Sequence, residues 1–454
     1  MVMGEKPRVV IVGAGFGGMK AARALADAPV DVLLVDRYNY HTFQPLLYQV
    51  ATAALEPEEV AHAVRGIYQS QKNFSFRLAT VTGVEWERNE LRLEGGATIS
   101  FDFLILAAGA STTYFGIEGV EENSFPLKSI PEAVNLRSHI MRQFEGADAN
   151  PALIDEGALT FVVVGGGPTG VEMAGSLVEL FEMVLKKDFP NLDISRTRVV
   201  LVEATDRLLA PFHESSRATA LEVLRRRGVE VRLSEAVVKA TPDAVYFKRG
   251  EHIPTHTLIW AAGVRANPLA DMLGLEQTRG ARVVAKEDLS VPTHPHVFVI
   301  GDMAASKYPN GDLHPQLAQV AIQGAGHVAK QIKRRLRGEL PTRFSYFDPG
   351  IMATIGRSAA VAELPLGLRF TGFIAWLMWL FLHLMYLVGF RNRLQVFTNW
   401  LWNFVTYDRS ARLIYEVEPL APDGTNHSGQ IASGQEQAKV LEQGGTPTQT
   451  QAKS

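Results

Sequence analysis

Two glycine fingerprints of the same kind lie 152 residues apart in this chain of 454 residues, and they constrain its fold more than any other feature. Each has three glycines between strand-like and helix-like sequence: Gly13, Gly15 and Gly18 in the first, and Gly165, Gly167 and Gly170 in the second. The first glycine permits a tight turn, the second lets the backbone approach a diphosphate, and the third lets helix and strand pack closely. The sequence therefore predicts the α/β class with two Rossmann-like dinucleotide-binding domains.

An acidic residue ends the second predicted strand of each unit. Asp36 lies 23 residues after Gly13, and Glu203 ends the corresponding strand of the second unit. A carboxylate at this position binds ribose hydroxyls and repels a 2′-phosphate, so Glu203 favours NADH over NADPH, although Arg207 nearby weakens that preference. The helix N-terminus offers free N–H groups to the phosphates, and Thr169 belongs to this part of the predicted NADH site.

Both units also close in the same way, on an apolar strand followed by Ala-Ala-Gly. The last two residues of each tripeptide are predicted to border a cofactor: Ala108 and Gly109 in the first unit, and Ala262 and Gly263 in the second. The matching order indicates an internal duplication of a nucleotide-binding half. Two such sites in one chain are typical of an enzyme that moves a hydride from a nicotinamide to a flavin.

Composition excludes several classes of protein. With 45 basic and 48 acidic residues the net charge is −3, so the composition does not indicate a nucleic-acid partner. The chain has no cysteine, which excludes disulfides, iron–sulfur ligation and a thiolate nucleophile, and no metal site is predicted. Strand-like sequence begins at Arg8, leaving no room for a signal peptide, so the catalytic body is expected to stay in the cytoplasm.

A later apolar strand ends in Gly301-Asp302. With the two fingerprints, this motif resembles the flavoproteins with two dinucleotide-binding domains, and the resemblance extends over about residues 8–340. It implies that Gly301 and Asp302 belong to the FAD site, with Asp302 on the ribitol chain, that the first fingerprint binds FAD and that the second binds NADH. Disulfide reductases, peroxidases and sulfide:quinone reductases of this superfamily need cysteines, which this chain lacks.

Two further segments resemble the type II NADH:quinone oxidoreductases. Gln319 and Gln323, four residues apart on one helical face, match the Ala-Gln-x-Ala-x-Gln motif, which implies that they border the flavin and the quinone. Residues 40–51 resemble the flavin-side loop, which implies that Gln49 approaches the isoalloxazine, whereas packing explains Tyr48 equally well. Glu172 would orient the nicotinamide or relay protons; the alternative is an acid favoured only by a helix N-terminus.

The C-terminal part has two apolar segments of different kinds. Residues 370–390 are uncharged and long enough to span a bilayer. Residues 394–407 form an amphipathic pattern suited to a membrane interface, with Arg391 and Arg393 placed to meet lipid phosphates. The resemblance favours monotopic attachment through both segments, while a true span or a buried dimer interface stays open. The Gly/Gln/Thr-rich residues 421–454 are predicted to be disordered.

Together these features predict a membrane-associated, non-proton-pumping NADH:quinone oxidoreductase that uses FAD, with menaquinone or ubiquinone as acceptor. The other expected partners are the lipid bilayer surface at the cytoplasmic face and a second copy in a homodimer. A reductase of a small, ferredoxin-like redox protein is the alternative, and a non-enzymatic redox sensor is a third possibility. The predicted domains are 1–115, FAD-binding, first part; 116–157, connecting helical segment; 158–270, NADH-binding; 271–345, FAD-binding, return part; 346–410, C-terminal membrane-anchoring region; 411–454, tail, disordered after about 420.

Overall fold

A computed structural model describes residues 6–406, 409 and 411–415 of the chain. The predicted disordered segment 421–454 lies outside the described residues, as does Tyr407 at the end of the predicted amphipathic stretch. The α-helices have the following bounds: α1 Phe16–Ala24, α2 Leu47–Ala51, α3 Pro57–Val60, α4 Val64–Ile67, α5 Ile130–Ala149, α6 Pro168–Glu179, α7 Lys186–Asp188, α8 Glu214–Arg226, α9 Leu269–Met272, α10 Ala318–Leu336, α11 Gly372–Tyr386 and α12 Phe390–Thr406.

The first fingerprint belongs to a six-stranded sheet. Its strands, in spatial order, are Ser290–Val291, His294–Val299, Phe103–Leu106, Arg8–Val12, Asp31–Asp36 and Phe74–Leu78. All neighbours are parallel except the first pair. Val9, Val10 and Ile11 are fully buried, because a parallel sheet is covered on both faces. On one face α1 packs against α10, and there a Cβ on Gly17 would lie 3.0 Å from the Ile300 side chain.

The second fingerprint belongs to a five-stranded sheet in which every pairing is parallel. Its strands are Ser124–Pro126, Thr257–Trp260, Thr160–Val164, Arg198–Glu203 and Glu230–Leu233. Both sheets thus repeat a strand–turn–helix–strand plan, as the duplication predicts. Smaller antiparallel sheets complete the body: Val81–Glu85 with Glu90–Leu93 and Thr98–Ser100, Val237–Thr241 with Ala244–Phe247 and His252–Pro254, and Tyr40–Thr42 with Ala61–Ala63.

A short antiparallel pair joins the two halves. The strand Ala110–Thr112, which follows the first Ala-Ala-Gly segment, pairs with Val264–Ala266, which follows the second. Each Ala-Ala-Gly segment lies at the carboxyl end of a central parallel strand. The pair therefore holds the carboxyl ends of the two sheets side by side, where α/β folds bind their ligands.

The C-terminal region contains a three-stranded antiparallel sheet followed by two helices. The strands are Ile351–Thr354, Ala360–Leu364 and Leu368–Thr371. The apolar run 370–390 is not one continuous helix: its first two residues end the last strand, and α11 ends at Tyr386, ahead of Gly389 with φ +81°. Among the residues that the structure describes, no helix combines the length and apolar character needed to cross a membrane.

Candidate active site

The first fingerprint forms a tight cradle that is open on one side. Gly13 has φ +108°, and a Cβ there would lie 2.4 Å from the Ala107 carbonyl oxygen. A Cβ on Gly18 would lie 1.8 Å from the Gly13 carbonyl oxygen, so α1 touches the turn directly. By contrast, a Cβ on Gly15 would have no described heavy atom within 4 Å. In the described chain no side chain caps α1, so its N–H groups face this open space.

The second fingerprint repeats this geometry. Gly165 has φ +115°, and a Cβ on Gly170 would again lie 1.8 Å from the carbonyl oxygen of the first glycine. Gly167 faces open space, because a Cβ added to it would have no described heavy atom within 4 Å. Thr169 is exposed in the first turn of α6. The two cradles are therefore equivalent, as the spacing predicts.

The two acidic residues occupy equivalent places beside the cradles. Asp36 accepts hydrogen bonds from the amides of Ala14 at 2.6 Å and Tyr38 at 2.8 Å. Glu203 accepts from the amides of Gly166 at 2.6 Å and Thr205 at 2.7 Å. Each carboxylate thus fixes its own glycine loop and stands at the edge of the open space, where a ribose would lie.

Arg207 does not turn toward Glu203. Its guanidinium makes a bidentate pair with Asp206, with distances of 2.6 and 2.8 Å, on the exposed surface. A guanidinium held in this way is not directed at a 2′-phosphate. The arrangement therefore agrees with a preference for NADH over NADPH.

The Ala-Ala-Gly segments line the gap between the cradles. Gly109 has φ +72° and faces open space, with no described heavy atom within 4 Å of an added Cβ. Gly263 has φ +71°, and an added Cβ would lie 2.3 Å from the Phe115 ring. Ala108 and Ala262 are half-buried beside them. All four residues therefore lie where the paired strands bring the two halves together.

Gly301 and Asp302 follow the strand His294–Val299 in the first sheet. Gly301 has φ +65°, and an added Cβ would lie 2.9 Å from the Ala321 side chain of α10. Burial raises the pKa of Asp302, and the positive charges of Lys128 and Arg282 oppose that rise. The Asp302 carboxyl therefore lies in a sheltered, electropositive place at the carboxyl edge of the FAD-side sheet.

Glu172 is buried on α6, with 7 % of its surface exposed. Its Oε1 accepts a hydrogen bond from the Thr354 amide at 3.3 Å. Burial raises the pKa of this carboxyl to about 8, while the Thr354 amide and the Trp379 indole oppose the rise. A carboxyl with a pKa near the working pH can exchange a proton in either direction.

The three predicted glutamines are all engaged by other groups. Gln49 donates to the Tyr48 hydroxyl at 3.0 Å and accepts from the Trp400 indole at 2.8 Å. Gln319 donates to the Tyr386 hydroxyl at 2.8 Å, which connects α10 to α11. Gln323 donates to the carbonyl of Phe347 at 2.8 Å and accepts from its amide at 3.0 Å. The roles of these glutamines toward FAD and quinone stay predictions.

Sequence reasoning did not identify several residues that surround Glu172. Thr354 comes from a strand 182 residues away, and Trp379 lies on α11 with its ring 6.4 Å from that of Tyr48. His383 stacks on Trp379 at 3.8 Å between ring centroids, and burial lowers the pKa of its imidazole to about 4. These residues come close to Glu172 only in the folded protein, so the local spacing of the sequence did not indicate that they surround it.

The residues present fit two dinucleotide cofactors. Gly15 and Gly167, the middle glycines of the two fingerprints, each face an open space that an added methyl group would enter. Each space is bordered by a helix N-terminus without a side-chain cap and by a carboxylate. These are the groups that bind a diphosphate and a ribose. Asp36, Gly301 and Asp302 would hold FAD on one side, and Glu203 would hold NADH on the other.

Comparisons with known proteins agree with this geometry. The family model for pyridine nucleotide-disulphide oxidoreductases matches residues 7–325, and the model for the NDH2 C-terminal domain matches residues 349–407. Type II NADH:quinone oxidoreductase Ndh of Mycobacterium tuberculosis is 38% identical over 94% of this chain and 95% of its own length. NdhA of the same organism is 38% identical over 97% of both chains.

Among solved structures, NDH2 from Plasmodium falciparum in complex with NADH is similar with a TM-score of 0.83 and 19% identity, covering 91% of this chain and 100% of that one. The fold and the paired cradles define a flavoprotein with two dinucleotide-binding domains that uses FAD and NADH. Within that class, the chain belongs to the type II NADH:quinone oxidoreductases. The predictions of fold class, family and cofactors are confirmed.

Proposed function

We propose that this chain oxidises NADH through bound FAD and reduces a membrane quinone without pumping protons. The observation that carries the proposal is the strand pair that holds the two open glycine cradles side by side. The chemistry that bound FAD supplies is hydride acceptance from NADH and two-electron transfer to the quinone. Family membership supports a quinone as acceptor and association with a membrane.

The chain's own residues bind, orient and exchange protons. Asp36 and Glu203 would bind the ribose hydroxyls, and Asp302 the ribitol chain. Glu172 would orient the nicotinamide or move a proton, since its pKa of about 8 lies near neutrality. The Gln319 amide, beside the Tyr386 hydroxyl, would donate to a quinone carbonyl. Gln323 would hold the neighbouring backbone segment against α10.

An anaerobic absorbance experiment on the full chain in detergent tests this function. One equivalent of NADH should bleach the bound flavin rapidly, and NADPH should do so more slowly. A short-chain quinone should then restore the flavin absorbance at a rate that matches turnover. Flavin that stays reduced with quinone but is reoxidised by a ferredoxin-like protein would instead support the alternative reductase.

The surface of α12 supports attachment to a bilayer. Two of its asparagines face the protein: Asn392 donates to the Glu59 carbonyl at 3.0 Å and Asn403 to the Ala54 carbonyl at 3.1 Å. This orientation differs from the predicted interfacial helix, whose polar side would face water. The exposed surface is mostly apolar, with Phe390, Leu394, Phe397, Leu401 and Val405 between 48 and 81 % exposed, and it also includes Gln395 and Thr398. An exposed apolar strip next to the exposed Arg391 fits a lipid surface.

Removing three of these side chains should release the protein from membranes. The triple variant Phe397→Ser, Leu401→Ser and Val405→Ser should bind vesicles of phosphatidylcholine and phosphatidylglycerol at least about a hundredfold more weakly, because each lost side chain contributes roughly 1–2 kcal/mol. Sedimentation with vesicles measures this, and turnover with a short-chain quinone should persist. The matched control replaces the exposed apolar residues Leu78, Val238 and Met272 by serine. Equal loss in both variants would contradict a specific lipid-facing strip.

We also propose a homodimer and a cytoplasmic orientation. The exposed apolar residues of α11, such as Ile374 and Phe381, offer a surface for a second copy beside the lipid-facing strip of α12. A charged dinucleotide does not cross a bilayer, so the NADH site would face the compartment that supplies NADH. The mass of the detergent-solubilised protein by light scattering tests the dimer, and a monomer would refute it.

A further inference from the structure

A chain of hydrogen bonds runs from helix α12 to Thr354, the residue whose backbone amide donates to Glu172. The Trp400 indole donates to Gln49 Oε1 at 2.8 Å, and Gln49 Nε2 donates to the Tyr48 hydroxyl at 3.0 Å. The Tyr48 hydroxyl lies 3.1 Å from Thr354 Oγ1, and the Thr354 amide donates to Glu172. Gln49, Tyr48, Thr354 and Glu172 are each less than 9 % exposed.

The Trp400 indole fixes the orientation of the Gln49 amide. An indole N–H is only a donor, so it must meet the oxygen of the Gln49 amide. The amide nitrogen then faces Tyr48 and donates to it. The Tyr48 hydroxyl can accept this bond and also meet Thr354 Oγ1, and either of the two hydroxyls can be the donor there. These hydrogen bonds hold the Thr354 side chain, and a separate group of the same residue, its backbone amide, donates to Glu172.

We propose that Trp400 and Tyr48 are positioning residues for Glu172, because through Gln49 they fix Thr354, the residue whose amide donates to its carboxyl. The proposal rests on the proposed function of Glu172. The opposite side of α12 carries the exposed apolar strip. These contacts therefore connect the proposed lipid-facing helix to a carboxyl in the protein interior. Donors directed at the carboxyl stabilise its ionised form.

The other titratable groups near these hydrogen-bonded residues either have an ion-pair partner or are uncharged at neutral pH. Glu179, on α6, pairs with Arg227 at 2.7 Å and with Arg409 at 3.3 Å. Arg409, which follows α12, also donates to the Thr52 carbonyl at 2.8 Å. His383, on α11, is uncharged at neutral pH because burial lowers its pKa to about 4. The variants below leave all of these groups in place.

The test removes single donors and keeps an aromatic ring at each position. Trp400→Phe deletes the indole N–H, and Tyr48→Phe deletes only the hydroxyl. Each should move the apparent pKa in the pH profile of quinone turnover upward by about 0.5–1 unit, with little change in the KM for NADH. In the double variant the apparent pKa should shift no further than the larger of the two single shifts, because both changes interrupt the same series of hydrogen bonds. Trp402→Phe, on the same helix and 61 % exposed, should leave the profile unchanged.

A second measurement separates this inference from the function of Glu172. Infrared titration follows the carboxyl band that is lost in Glu172→Gln, and it reports protonation whether or not Glu172 takes part in turnover. An upward shift of this band in Trp400→Phe, with no effect of Glu172→Gln on turnover, would keep the hydrogen-bond chain and refute the catalytic role. An unchanged band in Trp400→Phe, or additive shifts in the double variant, would overturn the inference. If Tyr48→Phe does not fold, the Trp400→Phe and Trp402→Phe pair alone decides it.

Discussion

Gly18→Ala should yield a chain without FAD and with a strongly destabilised first domain, whereas Gly15→Ala should fold normally and bind FAD weakly. The added methyl group on Gly18 would lie 1.8 Å from the Gly13 carbonyl oxygen, in the turn itself. Relief requires α1 to move away from its sheet, and we expect a loss of about 3 kcal/mol or more. At Gly15, φ is −71° and no described heavy atom lies within 4 Å, so alanine meets neither strain nor a clash.

The two variants therefore separate folding from cofactor binding. The methyl group of Gly15→Ala enters only the open space of the cradle, so the dissociation constant for FAD should rise at least tenfold while the apoprotein keeps its melting temperature. Flavin content after purification and thermal unfolding of the apoprotein measure the two effects. Gly326→Ala, at an open position of α10, is the control and should stabilise the chain by about 1 kcal/mol. Wild-type flavin content in Gly15→Ala would show that the cradle holds no diphosphate.

The cradles were predictable because their chemistry is local. A tight turn, a close helix and an acid at the end of the next strand all depend on residues within about 40 positions, and the structure places Asp36 and Glu203 beside their own glycines. The position of α10 was predictable for the same reason, since its apolar period continues to Leu336. Local patterns of this kind carry both propensity and geometry.

Contacts between distant parts of the chain were not predictable. Gln49 and Trp400 are 351 positions apart, and no spacing rule relates them. The apolar run 370–390 looked uniform, yet pairing of Thr371 with Val361 makes its start a strand, because sheet hydrogen bonds outweigh the helical pattern there. Likewise the pattern of α12 reveals two faces, but only the packed body shows that Asn392 and Asn403 face the protein.

Glu172→Gln should lower quinone turnover at least tenfold and at the same time make the protein more stable at neutral pH. The folded carboxyl has a pKa of about 8, against a reference value of 4.5. The native state therefore holds a proton that the unfolded chain releases, so the wild-type protein loses stability as the pH rises from about 4.5 to about 8. Glutamine removes this loss and still accepts from the Thr354 amide, so the gain should be on the order of 3 kcal/mol at pH 7 and close to zero near pH 4.5.

Unfolding of the FAD-loaded protein at pH 5, 7 and 9 measures the gain, and Glu222→Gln, at an exposed position of α8, serves as the control. A gain that grows with pH, together with lost turnover, would mean that the chain retains a destabilising carboxyl because the reaction needs it. A gain without any loss of turnover would remove Glu172 from the mechanism. No gain at any pH would mean that the carboxyl is solvated in the folded protein, and both the pH dependence and the proposed proton transfer would then be wrong.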